Sequence, residues 1–280
     1  VFVRTDRAGA ACRLGLADGS QSSSSAIPLA RISRADHATT LSGDGFTIST
    51  VEHLLAAFAG LGVDNALIAL SEGEVPIMDG SAAPFVYLLM QAGLKDLQSP
   101  RREIRFRRPI SVSDGDRAVT IYPEEGFRVS YTIDFAHPAI GRQGLSLAMD
   151  EETFIEELAP ARTFCLLKDV DALRARGLAL GGSLANAVVV GDTGTLNPLR
   201  FPDEFVRHKA LDLVGDLALL GHPLTGHIVA HKAGHAMHAL LIQRILEDRD
   251  AWSLSSRRAP SVLYAHPATR FASAGQQAAV

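Results

Sequence analysis

Between Asp203 and Gly221 the chain carries an amphipathic pattern that restricts its folding more than any other stretch. Phe205, Leu213, Val214, Leu217 and Leu220 recur at roughly helical spacing, Pro202-Asp203 offers a start and Gly221 a stop. The pattern predicts a helix over 203–220 with one face turned inward. On that helix His208, Asp212 and Asp216 stand at i, i+4 and i+8 and line one stripe. An imidazole and a carboxylate one turn apart can reach a single metal ion. The same residues also fit a solvated charged face with a His–Asp contact along the helix. Other residues have to decide between these readings.

Several segments have the patterns of defined elements. Phe2–Arg4 and Ile27–Ala30 read as short strands flanking a Ser-rich loop, Ser20–Ser25. Ser49–Gly60 reads as a helix, with Val51, Leu54, Leu55 and Phe58 on one face, followed by a strand over Val63–Leu70 and a second helix over Ala83–Ala92. Lys95–Pro109 reads as a domain boundary. Strands follow at Ile110–Ser113, Ala118–Tyr122 and Phe127–Ile133, then a broken helix–strand region from Phe154 to Val190. After the 203–220 helix come a strand at Gly226–Ala230 and a final helix from Gly234-His235 to near Arg249. The remainder from Ser253 is rich in Ala, Ser, Arg and Pro and is expected to be loosely held. His53 and His208 each begin an apolar helix that runs into Gly and then a strand, which suggests two related domains with a site between them.

With 280 residues, 47% hydrophobic and 21% charged, the chain suits an ordinary globular protein of one or two domains. A net charge of −4 gives no case for nucleic-acid binding. The basic cluster Arg101-Arg102…Arg105…Arg107-Arg108 reads as an inter-domain linker rather than a polyanion site. Two cysteines, Cys12 and Cys165, make no disulfide framework, so a cytoplasmic setting is expected. No apolar run approaches the roughly 20 residues of a membrane span. The chain opens on Val1-Phe2-Val3-Arg4, as if in mid-strand, which suggests an N-terminal truncation.

Of ten histidines, His37, His137, His222, His227 and His266 sit beside loop or turn residues, and His231 and His238 lack a nearby partner in sequence. His53, His208 and His235 stand early in helices next to Glu52, Lys209 and Lys232, and helix N-termini favour anionic species. Ser49 and Glu52 also fit a capping box, in which Glu52 merely satisfies a backbone N–H. Alternatively His53 ligates a metal and Glu52 acts on a bound water. A His/His/Asp set with one open position is the design of hydrolytic zinc, where the water pKa falls toward ~7, although Fe2+ accepts the same ligands. Ala161-Arg162-Thr163-Phe164 precedes a leucine-rich stretch, Leu166, Leu167, Val170, Leu173, Leu178, Leu180 and Leu184, which fits either a core βαβ unit or an apolar channel for a lipid chain.

Taken together these segments resemble the UDP-3-O-acyl-N-acetylglucosamine deacetylases, the zinc amidases of lipid A biosynthesis. The matching stretches are Ser49–Ala57, Val63-Asp64-Asn65, Pro76–Ala82, Ala161–Phe164, Gly181-Gly182-Ser183, Phe205–Lys209 with Asp212 and Gly215-Asp216, and Lys232–His235. The resemblance implies an α+β fold of two related domains, each with helices packed on sheets and the active site between them. With the boundary read at Lys95–Pro109, the expected domains are a first at 1–98 and a second at 106–252 with a leucine-rich insert at about 165–190, followed by a loosely ordered tail at 253–280. The resemblance implies His53, His208 and Asp212 as ligands of one catalytic Zn2+, with Fe2+ possible in the same site. Glu52 becomes the general base, His235 the general acid oriented by Asp216, and Thr163 an oxyanion donor. Lys209 and Lys232 contact the sugar nucleotide, Phe164 and the insert line the acyl path, and Asp79 has no firm role.

The implied reaction removes the N-acetyl group of UDP-3-O-(3-hydroxyacyl)-N-acetylglucosamine as acetate, the committed step of lipid A biosynthesis, in a cytoplasmic monomer. No nucleic acid and no transmembrane segment are expected, and contact with a membrane surface would be transient. Other expectations left open are another zinc amidase or deaminase, a non-catalytic sugar-nucleotide or lipid binder, and an inactive truncated form. A strand and a Gly-rich, His-containing turn at the family's N-terminus have no counterpart here.

Overall fold

The computed structural model describes residues 13–16, 23–26, 31–36, 38–43, 46–95, 100–175 and 181–257. The first part of the chain forms β1 (Arg13–Leu16), β2 (Ser23–Ala26), β3 (Arg31–Ala35), β4 (Thr39–Gly43), β5 (Phe46–Ile48), α1 (Glu52–Gly60), β6 (Leu67–Leu70) and α2 (Ala83–Ala92). β1 pairs antiparallel with β2 and parallel with β6, while β3, β4 and β5 make an antiparallel meander. The loop expected at Ser20–Ser25 is therefore strand from Ser23 onward, and the strands expected at Phe2–Arg4 and Ile27–Ala30 lie outside the described residues. α1 buries Leu54, Leu55 and Phe58, as its spacing requires, in one core with Leu41, Ile48, Ile68, Phe85 and Leu89. α2 starts with Pro84 in its first turn, where the fixed φ suits helix and the missing N–H costs nothing.

The second part contains β7 (Arg101–Phe106), β8 (Ile110–Asp114), β9 (Arg117–Tyr122), β10 (Phe127–Asp134), β11 (Arg142–Ala148) and a short α3 (Glu151–Thr153) running into a π-helical turn, Phe154–Leu158. There follow β12 (Phe164–Leu166), α4 (Val170–Ala175), β13 (Val188–Val190), α5 (Glu204–Leu217), β14 (Leu224–His231), α6 (His235–Glu247) and β15 (Trp252–Arg257). β14 is the central strand of a seven-stranded sheet, parallel to β10 and β7 and antiparallel to β9. Helices and sheets of both pairing types together make an α+β fold.

Two expectations are corrected here. Arg101–Phe106 is not linker but β7, paired with both β14 and β15. Ile104 and Phe106 face the core, while Arg101, Arg105 and Arg108 pair with Asp64, Glu125 and Asp248. Nor is the chain loose from Ser253: residues 253–257 are strand, and Trp252 donates its indole N–H to the Ile245 carbonyl. Residues 258–280 lie outside the described residues.

α5 is enclosed rather than amphipathic toward solvent, and His208, Asp212 and Asp216 are each no more than 2% exposed. That excludes the solvated charged face. α1 crosses α5 where Gly215 lies against the Glu52 backbone, so closely that a Cβ at this position would overlap the Glu52 carbonyl. At the N-terminal end of α5 the fully buried Glu204 accepts from the Arg162 guanidinium and from the backbone N–H groups of Arg162 and Arg200. Glu204→Gln, which leaves Arg162 unpaired in the interior, is expected to cost about 3 kcal/mol. Denaturant unfolding checks this, and an unchanged midpoint would contradict it.

Candidate active site

The crossing of α1 over α5 sets Glu52 and His53 against the buried stripe of α5. The His53 and His208 rings approach edge to face at 5.0 Å between centroids. Asp212 Oδ1 lies 3.6 Å from His53 Nε2 and 3.3 Å from His208 Nε2, and the three ligand-type atoms fall within 4.8 Å of one another. His208 Nδ1 is 3.1 Å from the Ala161 carbonyl and must donate to it, which leaves the lone pair on Nε2 facing Asp212. Burial pushes the His208 pKa down to about 3, so the ring is neutral.

Asp212 Oδ1 is buried and has no hydrogen-bond partner among the described residues. An imidazole lone pair and an unpaired carboxylate oxygen turned toward one another in a dry interior repel unless a cation lies between them. These residues fit a metal ion.

Asp212 is held charged: burial would raise its carboxyl, but the cationic Lys209 and His235 help keep it well below the usual carboxylate range. Lys209 Nζ donates to Asp212 Oδ2 at 2.8 Å. Glu52 stands the other way, raised by burial against the lowering influence of His235 and His53. The capping box does not form, because α1 begins without a side-chain cap. Instead Glu52 Oε2 accepts the Thr39 backbone N–H at 3.0 Å. His235 lies opposite, its Nδ1 2.7 Å from Asp216 Oδ2 and its Nε2 3.6 Å from Asp212 Oδ2. Burial would lower His235, yet the Asp216 and Asp212 carboxylates outweigh it and raise the imidazolium to about 9.

The structure thus brings Glu52, His53, His208, Asp212, Asp216 and His235 together. Phe164 stacks edge-on against Phe205 and His208, with Lys209 Nζ 5.7 Å from its ring centre. Thr163 lies two residues beyond the carbonyl that fixes His208, and its N–H donates to the Gly80 carbonyl. Gly80, at φ +84°, packs so tightly on the Asn186 carbonyl that no side chain fits. Asp79 braces this turn through Ser81 and Arg200. Lys232 is drawn elsewhere: its Nζ pairs with Asp116 and Asp134 at 2.8 and 3.2 Å. The parallel β12–β13 pair joined through α4 is the βαβ alternative of the leucine-rich stretch, although Leu167 and Leu184 are half exposed.

Thr39, His238 and Tyr131 were not legible. Thr39 Oγ1 donates to Asp216 Oδ1 at 2.6 Å, and His238, judged partnerless from its sequence neighbours, lies 2.7 Å from Asp216 Oδ2. The available signal was the i, i+3 spacing of His235 and His238, which puts both on one helix face.

A model of the UDP-3-O-acyl N-acetylglycosamine deacetylase family matches residues 3–247. A UDP-3-O-acyl-N-acetylglucosamine deacetylase of Acidithiobacillus ferrooxidans is 51% identical over 226 residues, covering 78% of this chain and 74% of that protein. Its namesakes from Shewanella sp. (strain W3-18-1) and Syntrophotalea carbinolica are each 49% identical, over 217 and 219 residues, covering 76% and 78% of this chain and 71% of each relative. On a match of this extent, the chain belongs to the UDP-3-O-acyl N-acetylglycosamine deacetylase family.

Proposed function

We propose that the chain hydrolyses the N-acetyl group of UDP-3-O-(3-hydroxyacyl)-N-acetylglucosamine, releasing acetate and a free 2-amine in the lipid A route, with His53, His208 and Asp212 holding one Zn2+. The observation that carries this is the unpaired, buried Asp212 Oδ1 facing two imidazoles, between a carboxylate of raised pKa and an imidazolium. Two imidazoles and a carboxylate suit zinc, and Fe2+ accepts the same donors. A divalent ion bound there supplies Lewis-acid polarisation of the acetamide carbonyl and lowers the pKa of water.

The remaining work falls to side chains. Glu52, its basicity raised by burial, takes the proton of the attacking water as the new C–O bond forms. The Thr163 hydroxyl donates to the oxygen that gains negative charge. His235, kept protonated by Asp216, delivers its Nε2 proton to the nitrogen as the C–N bond breaks. Lys209, from beside Asp212, and Lys232, once released from Asp116 and Asp134, contact the anionic nucleotide. Phe164 and the β12–α4–β13 unit, with Leu167 and Leu184 exposed, carry the acyl chain. The first domain at 1–98 and the second, which takes in β7 and β15 and so spans residues 101–257, clasp the site through α1 and α5. Among the described residues no helix is long and apolar enough to cross a membrane, and a cytoplasmic monomer is the setting proposed.

Purified protein given the acylated UDP-N-acetylglucosamine should release acetate and the free amine in equal amounts. Acetate from simple N-acetyl amides but not from this substrate would overturn the assignment. The rate should be bell-shaped in pH. Its acid limb belongs to Glu52, active only when deprotonated. Its alkaline limb belongs to His235, active only when protonated, and falls at or below about 9, because the added divalent charge opposes the imidazolium. A flat profile on the alkaline side would remove His235 as the proton donor.

A further inference from the structure

Asp216 is more tightly held than a single acid–base partner requires. Its Oδ1 accepts from the Thr39 hydroxyl at 2.6 Å, while its Oδ2 receives two imidazoles, His235 Nδ1 and His238 Nδ1, each at 2.7 Å. The three residues gather ligand-type atoms as a metal site would. However, an ionised carboxylate can only accept, so both Nδ1 atoms carry protons and no lone pair from the rings points at it. It is a hydrogen-bond junction.

The second imidazole is itself anchored. His238 is 0% exposed, and its Nε2 lies 3.2 Å from the hydroxyl of the equally buried Tyr131 on β10. With Nδ1–H committed to Asp216, Nε2 is an acceptor and Tyr131 O–H its donor. Burial acts on both groups in the same sense, lowering the His238 pKa and raising that of Tyr131, so neutral imidazole and neutral phenol persist together. A neutral His238 also leaves the whole Asp216 charge to His235. Thr39 comes from β4, Tyr131 from β10 and His238 from α6, so three elements fix one carboxylate.

We propose that His238, anchored by Tyr131, is a positioning residue: it locks the Asp216 carboxylate so that His235 Nδ1 is held and His235 Nε2 is aimed at the Asp212 side of the site. This rests on His235 as the proton donor. The Tyr131–His238–Asp216 chain prevents the carboxylate from rotating, and the orientation of His235 is the property that depends on it.

The test uses the full metal-loaded protein. His238→Ala should lower kcat about tenfold or more with KM and metal content unchanged. His238→Asn, whose side-chain N–H can replace Nδ1–H on Asp216, should recover most of the rate. Tyr131→Phe should lower kcat by a smaller factor while keeping the ring packed. In a His235→Ala background His238→Ala should cost nothing further, a result that loss of packing alone does not give. Unchanged kcat in His238→Ala overturns the proposal, as does an Asn variant no better than Ala or an undiminished effect in the His235→Ala background. If His238→Ala fails to fold, the His238→Asn and Tyr131→Phe pair decides: wild-type kcat in Tyr131→Phe, or none in His238→Asn, overturns it. A His235→Ala enzyme of full activity removes the proton-donor reading and the positioning role with it. An inactive His235→Ala beside a fully active His238→Ala removes the positioning role alone.

Discussion

Glu52→Gln is expected to lower kcat by about a thousandfold, within the range that positioned proton transfer supplies, while the metal stays bound. The side chain is buried, accepts the Thr39 backbone N–H, and lies on α1 immediately before His53. Gln keeps the volume and an acceptor oxygen, so the amide can still receive that bond, but it cannot take a proton from water near neutral pH. Burial of the neutral amide also costs less than burial of the carboxylate, so the variant should melt no lower than wild type. Steady-state kinetics, metal analysis and thermal unfolding on one preparation check all three points. A variant with near wild-type kcat removes Glu52 from the chemistry. Loss of the metal along with activity would instead make Glu52 a residue that maintains the site.

The second large effect belongs to a residue with no side chain. Gly215 permits α1 and α5 to touch, and Glu52 and His53 reach Asp212 only because they do. In Gly215→Ala the new methyl collides with main chain, which cannot move aside as a side chain can. Overpacking of this kind costs about 3 kcal/mol. The helices must separate to relieve it, and that carries His53 away from His208 and Asp212. Weaker metal binding and a fall in kcat should therefore accompany the lower Tm, and excess metal should restore part of the activity. Substitution of Gly194, where a Cβ meets nothing within 4 Å, should leave all three quantities near wild type. If Gly215→Ala behaves like a Gly194 variant, the close crossing is not what assembles the site.

The α5 stripe was readable because its residues stand at fixed helical offsets, and one helix can hold His208, Asp212 and Asp216 toward a common point. The bounds expected for α2, Ala83–Ala92, are those observed, because local pattern sets them. Strand β7 was hidden because its charged residues outnumber its apolar ones, and β15 because three of its six residues are serine. Only the sheet shows that Ile104 and Phe106 face inward while the arginines pair outward. Thr39 and Tyr131 were invisible for a different reason. Thr39 reaches Asp216 across 177 residues of chain and Tyr131 reaches His238 across 107, and no spacing rule spans such separations. The Glu52 capping box fitted the sequence locally, but a tertiary partner, the Thr39 N–H, occupies the carboxylate instead.

Metal content and acetate release, determined on the same samples of wild type and His208→Ala, address the metal-dependent reading of the site. About one zinc per chain in wild type, lost together with acetate release in the variant and on chelation, and regained in wild type on adding Zn2+, is the expected result. Acetate release that persists in fully chelated protein, or zinc retained at full occupancy by His208→Ala, would contradict it.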